Sequence, residues 1–523
     1  MSIIRSSLLR SASVSLILSV PLMVGACSQK DKGPSAEKSA PIAGLSLKSP
    51  SRKALAKHFD VPDRSVSEDE AKQALKNLNL LDSSNDNLSW AKSAGKAGNY
   101  TYSDLAAKSD DGTISIEHAK LYGVHMEGET ATFDRADFSG IEIYNKDDDI
   151  TVTFADMSLA RPTPAMAKSI INSLSNISDI GTDIDKDSMG FGAISMSDMR
   201  VKSAELNGGI DVMIWGEDET SGLADILIDD VVMEFNDDRG ESGKLKLGEF
   251  TATGLRSSLL NGIGGPTSMA GKFGSVGKNF DEVRLDNLVF DSSVVSLNTE
   301  GFAGKASEKN GVTTIKQVSQ PFTIKLKDSP KSAQAAQAFA MVKELGFEEL
   351  VFESSQTQII DSNTDTVTVK DGIVTMKDGF NLDYNYSASG VAELQNRLKT
   401  SKPGRNFNAA MAAMTLNGLQ IRLEDKSIVD RGLKLAAQLQ GTSPDTIKNQ
   451  IKIASAGASL FAGAGLEAAL MGEMGTAVSD FFENGGTLSV VVDPAEPIAM
   501  SELANLKRSD MTIKELGFTA KAE

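Results

Sequence analysis

One arrangement of apolar and polar positions recurs along the chain: two alternating apolar residues, two polar ones, then two more alternating apolar residues. It is strict in Ile114-Ser-Ile116-Glu-His-Ala119-Lys-Leu121, Ala131-Thr-Phe133-Asp-Arg-Ala136-Asp-Phe138 and Ile194-Ser-Met196-Ser-Asp-Met199-Arg-Val201. Leu245-Lys-Leu247-Gly-Glu-Phe250-Thr-Ala252 and Met414-Thr-Leu416-Asn-Gly-Leu419-Gln-Ile421 repeat it, and looser copies begin at Val152, Ile226, Val283 and Val367. These five strict copies exceed the roughly two expected by chance from this composition. Alternation with period two predicts half-buried strands, and an extra central residue moves the apolar set to the other face unless a bulge or tight turn absorbs it. Asp, Asn and Gly at that place suit a bend. The expectation is long, curved, antiparallel strands with one apolar side. Phe133, Met196, Leu247 and Leu416 share the second apolar place before the bend, so they either line an open groove or fill a closed core.

Three strands run into helices through similar junctions. Met157-Ser-Leu159-Ala-Arg-Pro-Thr-Pro164 precedes a helix over 165–177, Ile324-Lys-Leu326-Lys-Asp-Ser-Pro330 one over 331–345, and Ile421-Arg-Leu423-Glu-Asp-Lys-Ser427 one over 428–440. Ser or Thr at the cap, Pro in the first turn and Gly after the last turn are the appropriate signals. The spacing predicts a triplicated unit near 112–215, 283–390 and 412–493. The predicted class is α+β: mostly antiparallel, long curved strands in repeated units, with amphipathic helices packed on the sheet. Ser67-Glu-Asp-Glu70 has capping-box spacing and opens a small helical element over 61–95. Three β-rich regions follow over 96–280, 281–410 and 411–500, then a tail over 501–523. Residues 453–466 carry no charge. They are too few to span a bilayer and predict a helix buried against the sheet, or a lipid-touching flap.

The amino terminus sets the location. Arg5 and Arg10 precede an apolar stretch over 12–24, and Val24-Gly-Ala-Cys27 holds the only cysteine. This resembles a bacterial lipobox behind a signal peptide over 1–26. The resemblance implies cleavage after Ala26, acylation of Cys27 and a membrane anchor in the bacterial envelope facing the periplasm, at the outer membrane in preference to the inner. The net charge is −18, and loss of two Arg leaves −20, with 51 basic against 71 acidic residues. So acidic a body repels nucleic acid. Residues 27–60 are locally basic and of low complexity, which predicts a disordered tether.

The search for chemistry returns little. The chain has three His, namely His58 in the tether region and His118 and His125 on the first strands. It lacks the zinc-helix, nucleophile-elbow and phosphate-loop motifs; Gly264-Gly-Pro-Thr-Ser-Met-Ala-Gly-Lys272 has its glycines in the wrong places, within a predicted loop over 261–279. Carboxylate pairs such as Asp229-Asp230 and Glu424-Asp425 read as solvated faces. Asp183, Asp185 and Asp187 hold the first three oxygen positions of a calcium loop, but Ser188 stands at the sixth place and Ile194 at the twelfth. No cofactor and no catalysis are expected.

The signal segment, the repeated strands and the unit carrying Leu-Glu-Asp-Lys-Ser-Ile-Val-Asp-Arg431 resemble the YdgA-like group of bacterial envelope proteins over about residues 95–495, and more remotely AsmA-like proteins with grooved sheets. The first group has no settled biochemical function, and many of its members keep an uncleaved helix where this chain has a lipobox. The second resemblance implies lipid handling across the periplasm. Two functions follow as expectations: a lipoprotein that handles lipid or another lipoprotein in an apolar β-groove, or a structural lipoprotein whose closed core presents an acidic surface to partners.

Overall fold

The computed structural model describes residues 45, 50–61, 64–82, 88–109, 111–175, 190–218, 220–236, 242–256, 278–328, 333–394, 413–461, 466–503 and 512–523. Ala26, Cys27, the calcium candidates Asp183, Asp185 and Asp187, and the Gly264–Lys272 stretch lie outside these residues. The chain divides into two compact units: Lys48–Ser257 with Val283–Ser293, and Val294–Glu523 with Ser258–Glu282 and Met1–Leu47.

The first unit begins with α1 (Arg52–Ala56), a 3-10 turn (Lys57–Phe59) and α2 (Glu68–Asn77). Its strands are β1 (Leu88–Ser89), β2 (Lys92–Lys96), β3 (Asn99–Ser109), β4 (Gly112–Tyr122), β5 (His125–Glu127), β6 (Thr130–Thr132), β7 (Arg135–Asn145) and β8 (Ile150–Ala160). After α3 (Pro164–Ser175) come β9 (Ala193–Lys202), β10 (Leu206–Asp218), β11 (Leu223–Asn236), β12 (Ser242–Arg256) and β13 (Glu282–Ser292). From β3 to β12 the strands of the sheet pair antiparallel in chain order, with the small β5–β6 hairpin between β4 and β7 and α3 between β8 and β9.

The recurring pattern becomes rows across this sheet. Ala119, Phe138, Met157, Met196, Met213, Ile228 and Phe250 are successive cross-strand partners. Leu121, Ala136, Leu159, Ile194, Trp215, Ile226 and Ala252 form a parallel row. Beyond the bend, Ile114, Ile143, Val152, Val201, Gly208, Met233 and Leu245 form another. The two sides of the bend face the same way, because Ile114 and Ile116 enter one core cluster with Ala119 and Leu121.

The device that keeps them together is a left-handed residue at the second central place of every other strand. Asp104, Gly140, Asp198, Asp230 and Asn287 have φ of 55°, 61°, 49°, 46° and 53°. Gly takes this conformation freely, and Asp and Asn tolerate it because their short polar side chains bond locally. Since each strand carries the same extra residue, neighbours bend together and the pairing continues on either side. The copy at 131–138 is the exception. Its central Asp134-Arg135 forms the corner between β6 and β7, and the β7 signature is Ala136-Asp-Phe138-Ser-Gly-Ile141-Glu-Ile143.

One end of the apolar face is closed. Leu75 and Leu78 of α2 and its C-cap, Ala167 and Ile171 of α3, and Phe133 join the strand residues in a single core. Ser67 caps α2 by accepting from the Glu70 amide, as its spacing predicts, but Glu70 Oε1 accepts from the Met126 amide instead of completing the box.

The expected tether does not extend over residues 50–60. Leu55 and Phe59 pack with Ala160, Ala193, Val212, Ile214 and Leu227 on the back of the sheet. Arg161 Nη1 donates to the His58 carbonyl at 2.9 Å, Arg52 pairs with Asp229 at 2.6 Å, and His58 Nε2 lies 3.5 Å from Asp225. Leu45 is likewise buried, against Ala303 of the second unit. Two apolar residues in a basic stretch have no period of their own, so only their tertiary partners reveal them. Leu55→Ala should cost about 2–5 kcal/mol, as large-to-small core changes do; a urea midpoint equal to that of the parent would refute the docking.

The second unit contains β14 (Val295–Lys309), β15 (Val312–Ser319), β16 (Phe322–Leu326), α4 (Ala333–Glu344), β17 (Leu350–Asp361), β18 (Thr366–Met376), β19 (Phe380–Ser389) and β20 (Thr415–Asp425). Next come α5 (Ile428–Gln440), α6 (Pro444–Phe461), α7 (Leu466–Asn484), β21 (Thr487–Val492), β22 (Ile498–Ala499), α8 (Met500–Leu503) and β23 (Phe518–Ala522). Strands β17 to β21 and then β23 pair antiparallel in succession. The expected boundaries therefore shift. β13 belongs with the first unit, 281–410 and 411–500 share one sheet, and the expected tail supplies β23 and the buried Leu516.

The uncharged helix is placed differently from expectation. α6 packs on α5 and α7, with Ile447 in their shared core, while Ile453 is 73% exposed. Its approach to α7 is close: a side chain at Gly475 would come within 2.9 Å of the Ser455 carbonyl. Gly441 ends α5 in the left-handed conformation, as its position predicts. Ser427 does not cap α5; the Asp425 carboxylate accepts from the Val429 amide instead.

Candidate functional site

Away from its closed end, the apolar face of the first unit continues over β8 to β13. Phe154, Met157 and Ile194 still border the closed core, and beyond them Met196, Met199, Ile210, Met213, Trp215, Ile228, Met233, Leu245, Leu247 and Phe250 are half-buried. The same face of β13 offers Leu285, Leu288 and Phe290, also half-buried, with Phe290 stacked on Phe235 at 6.1 Å. Within the three continuous rows no member is ionisable. Strands lie about 4.8 Å apart, so six of them give a face roughly 24 Å across. Polar groups sit on the back, where Arg200 pairs with Asp198 and Asp211, and Arg284 with Asp286.

Five methionines contribute to it. Met157, Met196 and Met213 are direct neighbours in one row, with Met199 in the next row and Met233 in the one after it. Methionine repacks easily around irregular apolar partners.

The four residues of common phase are not brought together. Phe133 is 1% exposed at the β6–β7 corner, and Leu416 is 6% exposed beneath α7, clustered with Leu466, Val492 and Ile498. These two are core residues, which corrects their assignment to a groove wall. Met196 and Leu247 are half-buried on the open part of the face. Equal phase gives equal sidedness, but the cover on that side differs from strand to strand. The sequence pattern missed β10, because Gly208 occupies its first apolar place and Val212 and Ile214 two of its polar ones, and so missed Met213 and Trp215 as part of the face.

The polar candidates have structural partners. His125 is buried and its Nδ1 lies 2.7 Å from the Gly123 carbonyl, whereas His118 is exposed. Glu424 is held below the usual carboxylate range by Lys426 and then Asn381, and Asp425 serves α5. Asp229 pairs with Arg52, and Asp230 is a bend residue. Among the described residues no group of three or more His, Cys, Asp or Glu could hold a metal ion.

Arg431, at the end of the Leu-Glu-Asp-Lys-Ser-Ile-Val-Asp-Arg stretch, forms a joint in the second unit. Its guanidinium lies 4.2 Å from the Phe347 ring centre and donates to the Leu345 and Gly346 carbonyls after α4 and to Ser427 Oγ. The adjoining cavity of about 170 Å³ is lined by both signs of charge, including Glu348, Glu349, Lys377 and Asp378.

A family model described only as an uncharacterized protein matches residues 373–523, the part of the second unit from late β18 to the end. Comparison with curated proteins gives no match. Among the described residues, no helix is long and apolar enough to cross a membrane.

Proposed function

We propose that this is a lipid-anchored protein of the bacterial envelope, held by acylated Cys27, that handles lipid or another lipoprotein on the apolar face of β8 to β13 without catalysing a reaction. The half-buried part of these rows carries this reading. Large apolar side chains sit half-buried across neighbouring strands, among the described residues no helix of the first unit has extensive contacts with that part of the face, and leaving such a surface in water is costly unless something covers it. In this reading the three strand-to-helix junctions are repeats of one unit, elaborated differently in each copy. The acidic body keeps the face clear of nucleic acid, and the basic segment beyond Cys27 favours anionic headgroups.

The closed-scaffold alternative draws on Phe133 and Leu416, which show that each unit also has a conventional interior. The two readings separate on extraction of the chain from Ser28 onward, purified without detergent and analysed for bound lipid by mass spectrometry. Lipid should co-purify, and Leu247→Ser should reduce it at least severalfold while changing stability by about 1 kcal/mol or less. A parent free of lipid, together with a Leu247→Ser variant that unfolds, would establish the scaffold.

A further inference from the structure

The methionines are concentrated where the proposed ligand would lie. Met157, Met196 and Met213 follow one another across β8, β9 and β10, and Met199 and Met233 lie beyond the bend, one and two rows away. All five are half-buried; Met157 borders the sealed core around Phe133, and the other four lie beyond it. A Leu or Ile in these positions would give equal apolarity; a thioether adds one chemical property, its reversible oxidation.

We propose that this row is a redox-controlled modification site: conversion of Met157, Met196 and Met213 to sulfoxides discharges the apolar face, and their reduction restores it. This rests on the ligand-binding reading above. The oxidant is a hypohalous acid or a peroxide, encountered in the envelope. A sulfur lone pair takes the electrophilic oxygen; the O–halogen or O–O bond breaks, and halide or water leaves with the proton. Sulfur loses two electrons, and the oxidant gains them. The reverse step needs a dithiol reductant, which becomes a disulfide as the oxygen leaves as water. Each sulfoxide places a strong dipole in a row that has no donor or ionisable side chain to pair with it, so an apolar ligand covering it would leave a polar group unsatisfied. Since Met196 is a neighbour of both Met157 and Met213, modification of any one disrupts a continuous strip.

The test uses the full chain carrying Cys27→Ser, which removes the one thiol, and a dansylated undecanoic acid as fluorescent probe. The unmodified protein should bind the probe. Limiting hypochlorite, quenched before the measurement, should weaken binding at least about tenfold, the scale of one unsatisfied polar group, with peptide mass spectrometry locating oxygen on the row. Methionine sulfoxide reductases with dithiothreitol should restore it. The Met157→Leu, Met196→Leu, Met213→Leu variant, compared with its own untreated sample, should lose no affinity on treatment with the oxidant. Met196→Gln, checked for an unchanged melting curve, should bind weakly without oxidation. Undiminished binding after oxidation of the row would overturn the proposal, as would oxygen appearing only on the more exposed Met341 and Met471. Failure of the untreated protein to bind the probe would instead remove the ligand reading itself.

Discussion

Phe133→Ala should lower the stability of the first unit by about 3–5 kcal/mol, as aromatic truncations in sealed cores do, while Leu247→Ser, at the same place in the repeated pattern, should cost about 1 kcal/mol or less. The difference comes from what lies on each side chain. Phe133 sits at the β6–β7 corner beneath α2 and α3, in one cluster with Leu78, Ile171 and Leu159. Its removal leaves a cavity that two helices and a sheet cannot close without losing their own contacts. Leu247 lies between Val231 of β11 and the strand beyond, on the open part of the face, and its loss exposes surface already half in water. Chemical denaturation of both variants measures the contrast directly. Equal losses would show that the face over β8 to β13 is as closed as the core. Leu416→Ala, beneath α7, should follow Phe133 at about 2–5 kcal/mol.

Cys27→Ser should abolish acylation and empty the membrane fraction of mature protein, which would either be released or accumulate as uncleaved precursor. This is the largest expected effect on location, because it turns on one bond. Each buried acyl methylene contributes about 0.8 kcal/mol of membrane affinity, and stable anchoring requires more than one chain. Without the sulfur there is no attachment point for the diacylglycerol, and the body offers no substitute helix among its described residues. Metabolic labelling with a fatty-acid analogue, followed by fractionation, reads both consequences. A serine variant still acylated and still sedimenting with membranes would refute the anchor.

Much of the architecture was legible along the chain, since the determining interactions are local. Alternation assigned the strands, Asp and Asn at the central place suited the bends that the structure has at Asp198, Asp230 and Asn287, and the helix signals located α2 and α5 to within a few residues. Sequence also indicated which side of each strand is apolar. It could not indicate what covers that side. Whether Phe133 or Leu247 meets helix or water depends on α2, α3 and α7 arriving from distant parts of the chain. Leu55, in a stretch whose composition predicts a tether, is buried because Val212, Ile214 and Leu227 present an apolar back surface at the right height. The methionine row is the clearest case. Met157, Met196 and Met213 are separated by 39 and 17 positions in the sequence, and they become neighbours only because the register of three antiparallel strands aligns their bends. Periodicity is a property of one strand, whereas a binding face is a property of the pairing between strands, and pairing is decided by tertiary structure.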